Sequence, residues 1–294
     1  MPVVATTWTV VRPQPNTNMK RREFLKTSAM VSAATGLSAT GLNAAAAGAA
    51  AVASPEYYEL RAYRLKPEAN RELLEGYLEK ALIPGLNRLG SKPIGVFVQQ
   101  ERTGVPAATE VRDAATVFVL IPYPSVESVT TTSARLNSDE EYQKAGAAYL
   151  QTPKSAPAFE RIDSWLTRAF AGMPRLELPA YSRDKKPRMF EIRTYESHSE
   201  VKALKKIEMF NSGEIDVMHE VGLGPIFFGQ VLVGQNLPHL TYMLSAENQE
   251  AHKKHWDGFG KHPTWIKLKN DPQYADTVSH IANRFLAPTA YSQI

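Results

Sequence analysis

The sequence predicts an α+β fold built twice over, and three observations carry that prediction. The hexapeptide YELRAY, Tyr58 to Tyr63, returns as FEIRTY, Phe190 to Tyr195. Each copy opens a similar succession of strand-like and helix-like stretches. Within each copy the side chains alternate in a way that suits a strand with two different faces.

In the first copy, the YYELRAYRL strand is followed by Leu73, Leu74, Tyr77, Leu78, Ala81 and Leu82 at helical spacing. Pro84-Gly85 disturbs that helix and Leu89-Gly90 ends it. Ile94 to Gln100 and Ala115 to Tyr123 are rich in β-formers and read as two strands. A polar helical region runs from about Ser125 to Leu150, and Glu160 to Phe170 reads as a closing strand. The second copy keeps this order. RMFEIRTY is a strand, and EVKALKKIEMFNSGEIDVMHEVG is one helix or two with Gly213 as the break. Pro225 to Gly234 is a strand, followed by a turn over Gln235-Asn236-Leu237-Pro238. His239 to Ser245 is the next strand, NQEAHKKHWDGFGKHPTWIKLKN carries a helix, and Ser279 to Pro288 closes. Each copy is therefore β-α-β-β-α-β, a ferredoxin-like unit. The expected organisation is an N-terminal segment 1–53, a first unit 54–172, a linker 173–187 holding Pro174, Pro179 and Pro187, and a second unit 188–294.

Glu59, Arg61 and Tyr63 share one strand face, and Glu191, Arg193 and Tyr195 share the matching one. Tyr58, Leu60 and Ala62, like Phe190, Ile192 and Thr194, occupy the opposite face. A ferredoxin-like sheet packs its helices on one side. The apolar set is therefore expected against the helices. The Glu-Arg-Tyr rows are expected to line a barrel formed by two sheets packed face to face.

The N-terminal segment reads as an export signal. KRREFLK, Lys20 to Lys26, is a basic stretch with paired arginines, and a weakly apolar run rich in Ala, Gly and Ser follows it. This order resembles a twin-arginine (Tat-type) signal, with cleavage expected after Ala53 and a periplasmic or extracytoplasmic destination. Met19, directly before KRREFLK, is a candidate for the true start. The chain holds 34 basic and 30 acidic residues, of which five and one precede Ser54, so the remainder carries 29 of each. A balanced mature chain has no footprint for nucleic acid, and no membrane anchor is expected after cleavage. With no cysteine, disulfides, thiolate metal sites and cysteine nucleophiles are excluded.

The doubled (Y/F)-E-(L/I)-R-x-Y strand, the PGLNRLG segment, the LPHLTYMLS strand and the W-x2-F-x3-P-x-W pattern of HWDGFGKHPTWIKL resemble the NIPSNAP family. The resemblance covers nearly all of residues 56–288 and is stronger in the second half. The first half reads SARLNSDEEYQKAG at the late helix and lacks the Trp-Phe-Pro-Trp signature, which marks it as the more structural half. The resemblance implies a dimeric α/β-barrel fold. Its related barrels include cofactor-free monooxygenases, isomerases and haem proteins.

Candidate chemistry lies first in the Glu-Arg-Tyr rows. A guanidinium in a barrel can bind a carboxylate or enolate, and a tyrosine can donate to an oxyanion. The competing reading pairs Glu59 with Arg61 and Glu191 with Arg193 as a satisfied buried layer, and it is favoured. All seven histidines lie in the second half. His252 and His255 share a helix face and could bind a metal with His262. Their charged setting instead favours solvent for His252, and no metal site is assigned. His219, before a Gly turn, and His280, in the closing strand where alternate residues can face the barrel, are candidate general bases beside the rows, with a satisfied packing histidine the favoured alternative for each. No cofactor is named by the sequence; haem or a metal stays open beside a cofactor-free site. The expected ligand is a small anionic or phenolic organic molecule bound by Glu59, Arg61, Tyr63, Glu191, Arg193 and Tyr195. The alternative is a non-catalytic binder or an oligomeric scaffold, with self-association left open.

Overall fold

The structure, a computed structural model, describes residues 54–65, 71–100 and 115–294. The expected export signal, 1–53, lies outside the described residues. Eight strands alternate with helices in the predicted order: β1 (Tyr57–Arg64), α1 (Arg71–Tyr77), α2 (Ile83–Arg88), β2 (Gly95–Gln99), β3 (Thr116–Tyr123), α3 (Val126–Asn137), α4 (Glu140–Leu150) and β4 (Arg161–Ala169). Then come α5 (Ala180–Arg183), β5 (Met189–Glu196), α6 (Glu200–Met209), α7 (Ile215–Glu220), β6 (Pro225–Val233), β7 (His239–Ala246), α8 (Gln249–Lys261), α9 (Pro263–Lys269) and β8 (His280–Pro288).

The strands close into one barrel in the order β1-β3-β2-β8-β5-β7-β6-β4. Each half contributes four antiparallel strands in the ferredoxin-like arrangement. The halves join edge to edge, β2 beside β8 and β4 beside β6, so both sheets lose their open edges. Helix starts follow the local chemistry. Ser125, Asp139, Ser199 and Asn248 each accept a backbone N–H of the first turn. Gly90, at φ +92°, stands just past the end of α2. Pro84 does not break the first helical stretch, because it sits at the start of α2 where its missing N–H is not needed.

The duplication extends to an irregularity. A π turn links α1 to α2 at Leu78–Leu82, and another links α6 to α7 at Phe210–Glu214. The two are offset by 132 positions, as Tyr58 and Phe190 are.

The face assignment is the reverse of the sequence expectation. Tyr58, Leu60, Ala62, Phe190 and Ile192 point into the barrel, where they pack with Phe97, Phe118, Phe227 and Met243. Tyr58 meets Phe227 and Phe97 meets Phe190, each pair 4.9 Å between ring centroids, so both halves share one interior core. The Glu-Arg-Tyr rows face outward, under the helices. The physical reason is that β1 and β5 lie mid-sheet and are covered on both faces, by the interior and by the helix layer. All eight residues of β3, TVFVLIPY, are buried. Alternation alone then does not say which buried face is inside. Among the described residues, no helix is long and apolar enough to cross a membrane.

Candidate functional site

Beneath the helices of the second half lies a closed ionic layer. Glu191 is fully buried and accepts four hydrogen bonds: Arg193 Nη1 at 2.7 Å, Asn283 Nδ2 at 3.0 Å, His252 Nε2 at 2.9 Å and Trp256 Nε1 at 3.1 Å. Burial alone would push its carboxyl up, but Arg193, His252 and Asn283 outweigh burial and hold it down at about 2. Arg193 also donates from Nε and Nη2 to the Tyr195 hydroxyl, which accepts a further bond from Tyr242 at 2.9 Å. The guanidinium stacks 4.8 Å from the Trp256 ring. Close by, Lys206 and Glu214 form a second buried pair at 2.7 Å.

The first half has the same pairing with different cover. Arg61 is paired with Glu59, whose carboxylate also accepts from Ser164 at 2.8 Å and Tyr123 at 3.0 Å. Neither the cavity at the barrel end nor the groove beside His219 is lined by either row. The six residues Glu59, Arg61, Tyr63, Glu191, Arg193 and Tyr195 are thus brought together as expected within each half, but as satisfied networks and not as barrel lining.

Three histidine expectations change. His252, expected in solvent, is fully buried because its ring completes the Glu191 network. His219 is exposed at the end of α7 and lines a surface groove with His255 and Glu247, not the rows. His280 does face the barrel, at its open end, on the side of β8 opposite the rows. Among the described residues no three His, Asp or Glu side chains gather as a metal set.

A cavity of about 280 Å³ opens at the barrel end where β5 finishes and β7 and β8 begin. Its two walls differ in origin. Among the described residues, the first half supplies Leu60, Phe118 and Trp165, an apolar and aromatic wall. The second half supplies a largely polar wall, with Thr194, Glu196, His239, Thr241, His280 and Arg284 beside the apolar Ile192 and Ala282. In the strand ladder Glu196 is flanked by His239 of β7 and His280 of β8. Arg284 reaches inward, its guanidinium carbon 5.9 Å from the Phe118 ring centre.

His239 was not singled out by the sequence reading. Two signals could have found it: it opens a strand after the Gln235–Pro238 turn, and it shares strand parity with Thr241 and Met243, which face the barrel. The side chain is 4% exposed, and among the described residues its Nε2 has no hydrogen-bond partner. Nδ1 lies 3.4 Å from Thr241 Oγ1, which in turn lies 3.2 Å from Thr194 Oγ1. Burial lowers the ring's pKa from its ordinary value, against the opposing pull of Glu196 and the Gln235 and Leu240 carbonyls.

A barrel of two fused ferredoxin-like units, with ionic layers under its helices and one amphipathic cavity at its mouth, is a duplicated α/β-barrel protein. The sequence profile of the NIPSNAP family matches residues 58–170 and 190–293, and the chain belongs to that family. No curated protein matches the sequence. Among solved structures, a candidate monooxygenase from Fusobacterium nucleatum is similar at 10% identity and TM-score 0.50, over 80% of this chain and 93% of that one. A candidate monooxygenase from Lactobacillus acidophilus is similar at 9% identity and TM-score 0.50, over 80% and 94%. A NIPSNAP-like domain protein from Burkholderia xenovorans is similar at 18% identity and TM-score 0.33, over 36% and 89%.

Proposed function

We propose that the barrel-mouth cavity binds a small phenolic or anionic organic molecule. The observation that carries this reading is the division of the cavity wall. A flat aromatic ligand can lay one side against Trp165, Phe118 and Leu60 while its polar edge meets His239, Thr241 and Arg284. The volume suits a single small ring system, below the size of most drug-like ligands. Arg284 favours a ligand that carries or develops negative charge.

Turnover of such a ligand would fall to a cofactor-independent monooxygenase or an isomerase, both of which begin by removing a proton. The names of the two Fusobacterium and Lactobacillus structures make oxygen consumption the first turnover to assay. The second reading, a binder without turnover, is supported by the ion pairing of both Glu-Arg-Tyr rows, which leaves no free acid there.

Thermal unfolding with a panel of small phenols, benzoates and aliphatic acids tests the binding reading. At a hundred times its Kd, a ligand of the folded state stabilises by about 2.7 kcal/mol. Phenols are expected to raise Tm, and Trp165→Ala to remove the rise without changing the unliganded Tm by more than a few degrees. No shift with any compound would sink the reading.

Export through residues 1–53 is also proposed, on the strength of the paired arginines Arg21 and Arg22. Replacing both by lysine is expected to hold the protein in the cytoplasm on cell fractionation. Unchanged export would remove the Tat-type assignment.

A further inference from the structure

The cavity contains one group that the fold leaves unsatisfied. Buried polar atoms are nearly always paired, so an orphan atom on a cavity wall asks for a partner. His239 is that group: it is almost fully buried, it lines the cavity, and among the described residues Nε2 has no partner. The other ring nitrogen faces the Thr241 hydroxyl, which continues to Thr194. A proton on Nδ1, donated to Thr241, leaves the Nε2 lone pair available.

The first half has no equivalent. Glu196 stands beside His239 in the β5–β7 ladder as Arg64 stands beside Thr116 in the β1–β3 ladder. By the same registers, Thr194 and Thr241 correspond to Ala62 and Phe118. The whole His-Thr-Thr set is thus specific to the polar wall, where duplication alone would have left Thr, Phe and Ala.

We propose that His239 accepts the proton of an acidic hydroxyl on the bound ligand, with Thr241 and Thr194 as positioning residues that hold its tautomer. This inference rests on the cavity being the ligand site. The step is balanced within the complex. The ligand O–H bond breaks, an N–H bond forms at Nε2, and no further reagent is consumed. The imidazolium is then stabilised by Glu196 and the Gln235 and Leu240 carbonyls, and the oxyanion lies in the cavity that Arg284 lines. His280, on the far side of Glu196 in the ladder, is exposed. A ring kept neutral by burial is in the correct state to accept a proton near neutral pH.

Para-nitrophenol, whose anion is yellow, and nitrobenzene, which has the same ring without the hydroxyl, separate the two claims. The purified protein is titrated with each at a pH where free para-nitrophenol is mostly protonated. Bound para-nitrophenol is expected to turn yellow. His239→Gln is expected to weaken it roughly tenfold to a hundredfold, the loss of a hydrogen bond to a charged group, and to abolish the colour. Nitrobenzene affinity is expected to stay the same in both proteins. Thr241→Val is expected to weaken para-nitrophenol only a few-fold. Nitrogen NMR of the wild-type His239 ring provides a readout independent of any variant: it should move toward imidazolium with para-nitrophenol and not with nitrobenzene. Colour and affinity unchanged in His239→Gln, or a ring that stays neutral, would overturn the proton-acceptor role while leaving the cavity as the site. Failure of both compounds to bind the wild type would overturn the cavity reading and this inference with it.

Discussion

The two halves of the barrel share a strand motif, a helix irregularity and a sheet order, yet they fill the space under their helices differently. Leu74 and Leu82, both buried, correspond by the 132-residue offset to Lys206 and Glu214. Val119, opposite Arg61 in its ladder, corresponds to Tyr242, opposite Arg193. Val129 and Ser133 stand four and eight positions after the α3 cap, where α8 has His252 and Trp256. Around the Glu–Arg pair that both halves share, one half thus has aliphatic and tyrosine side chains, and the other a further ion pair with His252 and Trp256. Buried ion pairs are seldom more stabilising than the apolar residues that could replace them. Stability alone therefore does not account for the second layer. What the layer does is fix β5 from outside through Glu191, Arg193 and Tyr195, while Ile192, Thr194 and Glu196 on the other face of the same strand line the cavity.

Exchanging content between the halves tests this contrast. The largest effect is expected from Lys206→Met, which strands Glu214 without a partner. It should cost about 3–5 kcal/mol in urea unfolding. Replacing both Lys206 and Glu214 by leucine copies the first half and should be near neutral or stabilising. If the double variant is as unstable as the single one, the pair is not interchangeable with its aliphatic counterpart and the contrast fails.

Glu191→Gln comes next, at about 2–3 kcal/mol, and should exceed Glu59→Gln because Glu59 is less completely buried. It also carries a pH signature. Glu191 is held below its ordinary value of 4.5, so its contribution is complete above that pH and is lost as the pH falls toward 2. The Gln variant should have a flatter acid limb over that window. Glu214, raised by burial, has the opposite slope: its contribution is complete at low pH and is lost as pH rises through its folded value. His252→Ala is expected to cost about 2 kcal/mol, by cavity formation and loss of the Glu191 bond. Val129→Ala should cost about 1 kcal/mol, which sharpens the same comparison. The smallest effect is expected at the exposed Arg71–Glu75 pair, where Arg71→Ala should change stability by under about 0.5 kcal/mol.

Much of the fold was readable along the chain. The strand from Thr116 to Tyr123, the helical character of Ser125 to Leu150, though not its division into α3 and α4, and the break at Gly213, now seen at φ +134°, follow from local pattern and backbone chemistry. The candidate site was readable only in part. His280 was marked as a candidate by its position in the closing strand, where alternate residues can face the barrel. The partners of Glu191 were not, because His252 and Trp256 arrive from a helix about 60 residues further on. His239 looked like a strand-opening histidine among seven, and its orphan nitrogen exists only in three dimensions.

The sequence by itself determined the duplication, the order of the elements and the pairing of each Glu with the Arg two positions later. These depend on spacing along one strand or one helix, which the chain carries locally. Tertiary structure alone decided which face of β1 and β5 turned inward, how the halves closed edge to edge, and that an apolar wall from one half would meet a polar wall from the other. In a barrel sheathed by helices both strand faces leave water, so hydrophobicity alone does not choose between them. The choice is made by which side chains across the interior fill the space and which helices bring hydrogen bonds to the buried charges.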